Sequence, residues 1–430
     1  MTLMIVIVKI ILEVVILDLN ILYNYSGDKI KHLSKEDIKS LMDEYYSGNY
    51  KVKDIISKYN LDVLPTKLFK EFPLVKLDKK CDYDGVNLIA PLNSKSLDID
   101  SVGMVSLGES YCPTCKHKPY DEHCECENCL LKREKDNMQK FNAVVAVSFS
   151  QGSISITEVD LKDRLLLGAY LRGFLNEDME YINSLDEVDS KIIPKTDDAE
   201  NSDYQIVNDF KQKKYININI ESSLDAFIFE REEDHYLIKS YYPALARYSI
   251  NIRDKNDFEI KTIDREMLTS LMYPDRKIFL SDVNFCFDLW RNISLLECKE
   301  YLINELQKVG FTSFVPGDKT NAVILHLLDN FSAAEITGFI HNKVTNAVRY
   351  YSESNISKKH AANTVISNLE TVGEKAIANN WDVTKYHRDY NLKISELSKM
   401  FFNYVLEIAD EGFNEAPNKE VIEDKLNQCM

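Results

Sequence analysis

A multidomain, mainly α-helical protein with a mixed α/β middle is what this sequence predicts, and three observations carry that expectation. Glycine (13) and proline (10) are scarce over 430 residues, which argues against a turn-punctuated β architecture. Apolar residues recur at helical spacing from about Leu289 onward. Two close CxxC turns, Cys112-Pro113-Thr114-Cys115 and Cys126-Glu127-Asn128-Cys129, mark a small metal-stapled module inside the much longer chain.

The elements follow in order. Residues 1–27 begin with a nearly continuous apolar stretch, interrupted by Lys9, Glu13 and Asp18. A membrane span wants about 18 charge-free residues, so no stable insertion is expected. A basic leader and a small-residue cleavage site are also missing. A buried strand or helix, a weak anchor, or residues upstream of the natural start remain open. Residues 28–80 read as three short helices. Ser34-Lys35-Glu36-Asp37 opens the first with a capping-box-like pattern, and Gly48-Asn49 closes it. The second runs from about Val52 to Tyr59, Asn60 makes the turn, and Pro65 starts a third that Pro73 stops.

Residues 81–193 hold the cysteine cluster, a charged helix from about Leu130 to Gln139, and a hairpin of Ala143–Phe149 with Ser153–Val159. An amphipathic helix over Leu161–Leu175 follows. Residues 194–204 are polar and acidic and read as a linker. Residues 205–288 form a mixed α/β segment, with strands near Tyr215–Ile220, Ala226–Phe229, Tyr236–Ser240 and Arg247–Ile252. Residues 289–430 form an α-helical domain. In it Ser332-x-x-Glu335 caps one helix, and a stripe from Ile394 to Ile408 ends at a Gly412 cap.

The net charge is −17, which opposes non-specific coating of phosphate backbones by the whole chain. Residues 51–80 depart from this. Eight lysines face four acids there, a local excess of +4, so the rest of the chain sums to −21. Any polyanion contact is therefore expected to be local and N-terminal.

Five of the nine cysteines lie between 112 and 129. Clustering fits metal binding in a reducing compartment, and a cytoplasmic setting is expected. Thiolates are soft donors that suit tetrahedral zinc. Cys112, Cys115, Cys126 and Cys129 are expected to close around one structural Zn2+, with Cys124 able to replace Cys126 and His117 or His123 able to replace a sulfur. A redox CxxC pair is the competing reading, and it leaves the second CxxC unexplained. The CPTC and CENC turns resemble those of zinc-ribbon and zinc-finger knuckles. That resemblance spans about 20 residues and implies no activity.

The stretch KVKDIISKYNLD, within residues 37–72, resembles the homeodomain-like helix-turn-helix of recombinases and transposases. The resemblance implies that Ile55, Ile56, Leu61, Leu68 and Phe69 pack inward. Thr66, Lys67 and Lys70 would face the DNA, and Lys51, Lys53 and Lys58 would reach phosphates; the basic patch leaves either DNA or RNA as the partner. The turn is longer than the family's, and the third helix carries no Arg, Asn or Gln to read bases.

No Walker P-loop, GxGxxG, GxSxG or HExxH occurs in the sequence. Asp288 with Glu297-Cys298-Lys299 has the letters of a nuclease pattern but sits in a helical stretch, where a solvated charge run is the ordinary explanation. His387-Arg388-Asp389 matches a kinase triplet without its companions. The expected function is that of a zinc-containing nucleic-acid-associated protein, with protein partners on the acidic C-terminal half. The alternatives are a nuclease-type enzyme with an unread site and a zinc-stapled interaction scaffold.

Overall fold

The computed structural model describes residues 19–95, 105–148, 152–196, 198, 200, 202–253 and 264–429. Most of the N-terminal apolar stretch lies outside these residues. The chain is about 51% helical with a few small sheets, and it divides into two compact units at Met138/Gln139. No described helix is long and apolar enough to cross a membrane.

In the first unit, α1 (Lys35–Ser47) starts where Ser34 accepts the Asp37 amide and ends where Gly48 takes φ 71°. That left-handed cap is open to glycine without strain. α2 (Val52–Lys58) follows, then Asn60 at φ 50° makes the turn. Pro65–Glu71 forms a 3₁₀ helix with proline in its first turn, where a missing amide costs nothing. Ile38, Leu41, Met42, Tyr45, Ile55, Leu61, Leu68 and Phe72 pack into one core. The third helix is thus 3₁₀ and only seven residues long, which is a poor major-groove reader.

β1 (Ile21–Leu22), β2 (Leu74–Lys80) and β3 (Asn87–Ala90) make an antiparallel sheet in that order. The β2–β3 loop, residues 81–86, carries Cys81 and Asp84. An Ile89–Tyr111 bridge lays the chain entering Cys112 beside β3.

α3 runs from Glu127 to Ser148 without a break. The expected strand at Ala143–Phe149 is therefore helix as far as Ser148. Val144 is fully buried within the core that also holds Leu165 and Tyr170, so packing overrides the β preference of the Val-rich run. The expected hairpin does not form. β4 (Ile154–Ser155) instead pairs in parallel with β9 (Ile252–Arg253).

In the second unit, α4 (Leu161–Phe174) is buried nearly all round rather than amphipathic. α5 (Asp203–Gln212) follows. β5 (Ile216–Ile218) pairs with β8 (Tyr248–Ile250), and β6 (Phe227–Glu232) with β7 (His235–Tyr241). The helices α6 (Arg265–Met272), α7 (Arg276–Leu280), α8 (Val283–Lys308), α9 (Asp318–Leu327), α10 (Ala333–Glu353) and α11 (Lys358–Ala378) complete most of the helical part. Ser332 and Glu335 form the full capping box of α10. Ser332 is fully buried, so Ser332→Ala should cost about 1 kcal/mol in a denaturant melt.

The apolar stripe near the C-terminus is not one regular helix. A turn at Glu396–Ser398 runs into a π-helix over Lys399–Val405, with the Leu406 amide reaching the Phe401 carbonyl at 2.9 Å. Met400, Phe401 and Phe402 are all buried, and the wider turn gives three consecutive large side chains room on the core side. Gly412 is not the cap of that stripe. It lies in the short helix Glu411–Asn414, where a Cβ would meet the Phe402 ring at 2.2 Å.

Candidate metal centres

Two groups of ligand side chains form within the first unit, and they divide the four cysteines singled out above. Cys112 and Cys115 meet Cys81 and Asp84. Cys126 and Cys129 meet Cys124 and His117. In each group one donor atom per residue lies within 4.8 Å of all the others. The four sulfurs expected around one ion therefore fall into two separate candidate groups. The β2–β3 loop brings its own pair of ligands to the first CxxC turn, and the second CxxC turn is completed from the segment between the two. Cys124 and His117 join as additional ligands, whereas His123 is exposed and takes no place.

The first group is built from two turns with the same backbone plan. The Cys81 amide donates to the Val86 carbonyl at 2.8 Å, and the Cys112 amide to the His117 carbonyl at 2.7 Å. The Gly85 amide returns to the Cys81 carbonyl at 2.9 Å, and the Lys116 amide to the Cys112 carbonyl at 3.0 Å. Gly85 takes φ 69° and Lys116 φ 62°. A lysine held left-handed is backbone strain that surrounding contacts must fix. Asp84 thus occupies in the first turn the place that Cys115 occupies in the second.

The second group uses a helix end. The Leu130 amide bonds to the Cys126 carbonyl at 3.0 Å, which sets Cys126 just before α3 and Cys129 in its first turn. Sulfur stands where an oxygen cap is usual, and the positive end of the helix dipole favours thiolate there. The Lys118 amide donates to Cys124 Sγ at 3.3 Å. Arg133 donates to the Cys124 carbonyl at 2.7 Å, tying the loop to α3. Tyr83, from the first turn, places its hydroxyl 3.6 Å from Cys129 Sγ and meets the His117 ring edge-on.

The distances fit a tetrahedron around a divalent ion. Zinc–sulfur and zinc–nitrogen bonds near 2.3 and 2.0–2.1 Å give edges of about 3.8 Å for sulfur–sulfur and about 3.6 Å for nitrogen–sulfur. Cys81 and Cys115 sulfurs stand 3.7 Å apart. His117 Nδ1 stands 3.6, 3.7 and 3.2 Å from the sulfurs of Cys124, Cys126 and Cys129. Asp84 Oδ2 lies 3.1 Å from Cys112 Sγ and 4.0 Å from Cys81 Sγ. The cysteines are free thiols rather than disulfides.

Each group is also electrostatically unfinished. Burial pushes the Cys124 thiol up, but the Cys126 and Lys118 amides and His117 outweigh it and bring it down to about 6. Burial, aided by the neighbouring sulfurs, pushes Cys126 up to about 11. In the first group, burial of Cys81 is outweighed by the Asp84 and Tyr83 amides, so its pKa falls. Burial and the Asp84 carboxylate push Cys115 up to about 12. Adjacent thiols cannot all ionise beside one another; a divalent cation removes that conflict. Cys3His and Cys3Asp groups of this shape are geometrically suited to a metal ion.

The six residues expected to touch nucleic acid all lie in the first unit. Lys51, Lys53, Thr66, Lys67 and Lys70 are exposed. Lys58 is committed to Glu44. Among the described residues, Lys51, Lys53, Lys67 and Lys70 have no carboxylate partner.

In the second unit, two patterns set aside at the sequence level converge. Glu297 is not a solvated charge but is buried on α8, with Lys299 and Glu300. Its Oε1 takes Arg388 Nη1 at 2.6 Å and the Ser398 hydroxyl at 2.8 Å. Glu297, Glu300, His387, Arg388 and Asp389 border one cavity, whose volume is about 30 Å³. Glu297 Oε2 and Arg388 Nε are buried there without a protein partner. That space suits one or two waters bridging them, not a nucleotide. The cluster is best read as an internal ion-pair network. No family model, curated protein or solved structure matches this chain.

Proposed function

We propose that the first unit is a nucleic-acid-contacting module held in shape by two structural zinc ions, one in each ligand group. The observation that carries the metal part is the size of the core beside the ligands. The apolar cluster that packs there holds Cys81, Leu88 and Cys112, with Leu77 and Cys115 against them, and two of its three buried members are themselves ligands. So small a core does not hold two knuckles closed, and structural metals supply folding free energy in such modules. Metal analysis of the full chain should return two zinc equivalents.

The nucleic-acid part rests on Lys51, Lys53, Lys67 and Lys70, which are exposed and uncommitted in a chain of net charge −17. Opposite charge and counterion release would supply affinity without base reading. The short 3₁₀ helix, lacking Arg, Asn and Gln, supports phosphate contact over sequence recognition. Four phosphate contacts predict a slope of log K against log salt of about −3.6 on duplex DNA and about −2.8 on a single strand. Each Lys→Ala change should flatten the slope by about one unit. A quadruple variant binding as tightly and as steeply as the parent would rule out this face. The localisation that follows from such a role, with DNA or RNA in the cytoplasm, belongs to the same proposal.

A further inference from the structure

We infer that the two metal sites are inequivalent, and that the Cys81–Asp84–Cys112–Cys115 site is the exchangeable one, through which zinc leaves and re-enters the module. This rests on the zinc reading above. The equivalence of the two turns of that site carries it. Their amide–carbonyl bonds repeat at positions 81/86 and 112/117 and again at 85/81 and 116/112. Both turns use a left-handed residue four places after the first cysteine. The backbone is therefore shaped for a fourth sulfur, and the sequence puts a carboxylate there.

The substitution has two physical consequences. Carboxylate oxygen is a harder donor than thiolate and holds zinc less well in a sulfur-rich set. Asp84 is also exposed, whereas His117, Cys124 and Cys126 are buried. Water or a competing chelator reaches the Asp84 corner first. Backbone amides reach sulfurs at both sites; the other site adds the Tyr83 hydroxyl beside Cys129 Sγ, and such an outer contact strengthens a metal site.

The experiment uses the full chain loaded with two zinc equivalents. It is challenged with a chromophoric zinc chelator, quenched at intervals with N-ethylmaleimide, and mapped by peptide mass spectrometry. Cys81, Cys112 and Cys115 should be labelled at least about tenfold faster than Cys124, Cys126 and Cys129, since even an outer contact is worth that much in affinity. Asp84→Cys should abolish the fast phase, and Asp84→Asn should speed it. Two bound ions released in one phase, with both triads labelled together, would overturn the inequivalence alone. A fast phase that persists in Asp84→Cys would do the same. A chain that binds no zinc would overturn the metal reading beneath it.

Discussion

Stripping zinc from the full chain with a strong chelator should expose residues 81–88 and 112–130 to rapid amide exchange while Trp290 emission stays constant. The asymmetry follows from where each part finds its free energy. Beside the first ligand group the buried apolar cluster numbers three residues, Cys81, Leu88 and Cys112, two of them ligands themselves. Structural zinc in small modules is worth roughly 10–16 kcal/mol per ion, far more than so few side chains recover at about 25 cal/mol per Å². α1 and α2 have their own core of Ile38, Leu41, Met42, Tyr45 and Ile55, so their amides should keep their protection. The chain's two tryptophans, Trp290 and Trp381, both belong to the second unit. Exchange that is unchanged by chelation would mean that the thiol groups are ordinary packed cysteines.

Local signals were legible in the sequence where a single residue dictates the backbone. Ser34, Gly48, Asn60 and Pro65 each act through one dihedral or one hydrogen bond, and each stands where its chemistry requires. The four strands β5 to β8 were legible because β-branched and aromatic residues alternate between turn residues. The strand expected over Ala143–Phe149 is helix as far as Ser148 because an Ala/Val run fits a buried helix as well as a strand, and tertiary packing decides.

The two candidate ligand groups were half legible. A reader of CxxC pairs joins Cys112 and Cys115 to Cys126 and Cys129, because nothing in that pattern says which turn faces which. The missing partner was present as Cys81-Asp82-Tyr83-Asp84-Gly85. It has knuckle spacing and the glycine that the left-handed position favours, with oxygen in place of the second sulfur. A search for any Cys-x-x-ligand-Gly turn finds it. The convergence of Glu297 with Arg388 was not legible, since 91 residues separate them and only the packing of α8 makes the charges internal.

Lys191→Met should destabilise the second unit by about 3–5 kcal/mol in urea melts followed at Trp290, the usual result of removing one partner from a buried ion pair. Lys191 and Glu300 are 5% and 11% exposed in their side chains and bond directly to each other. Burial pulls the Lys191 ammonium down from its usual range, and Glu300 opposes that pull. The pair itself is therefore worth little net, because desolvation offsets most of the attraction. Breaking it is different. Without Lys191, the Glu300 carboxylate keeps, among the described residues, only the Lys195 amide at 2.8 Å on Oε1, beside a cavity with room for no more than one or two waters. Adding Glu300→Gln removes the stranded charge and keeps an oxygen for that amide, so the double variant should recover most of the loss. A coupling this large is expected only for groups in contact. A single variant within about 1 kcal/mol of the parent, or a double variant no better than the single, would show that the pair is solvated and that the network around Glu297 and Glu300 does not hold this unit together.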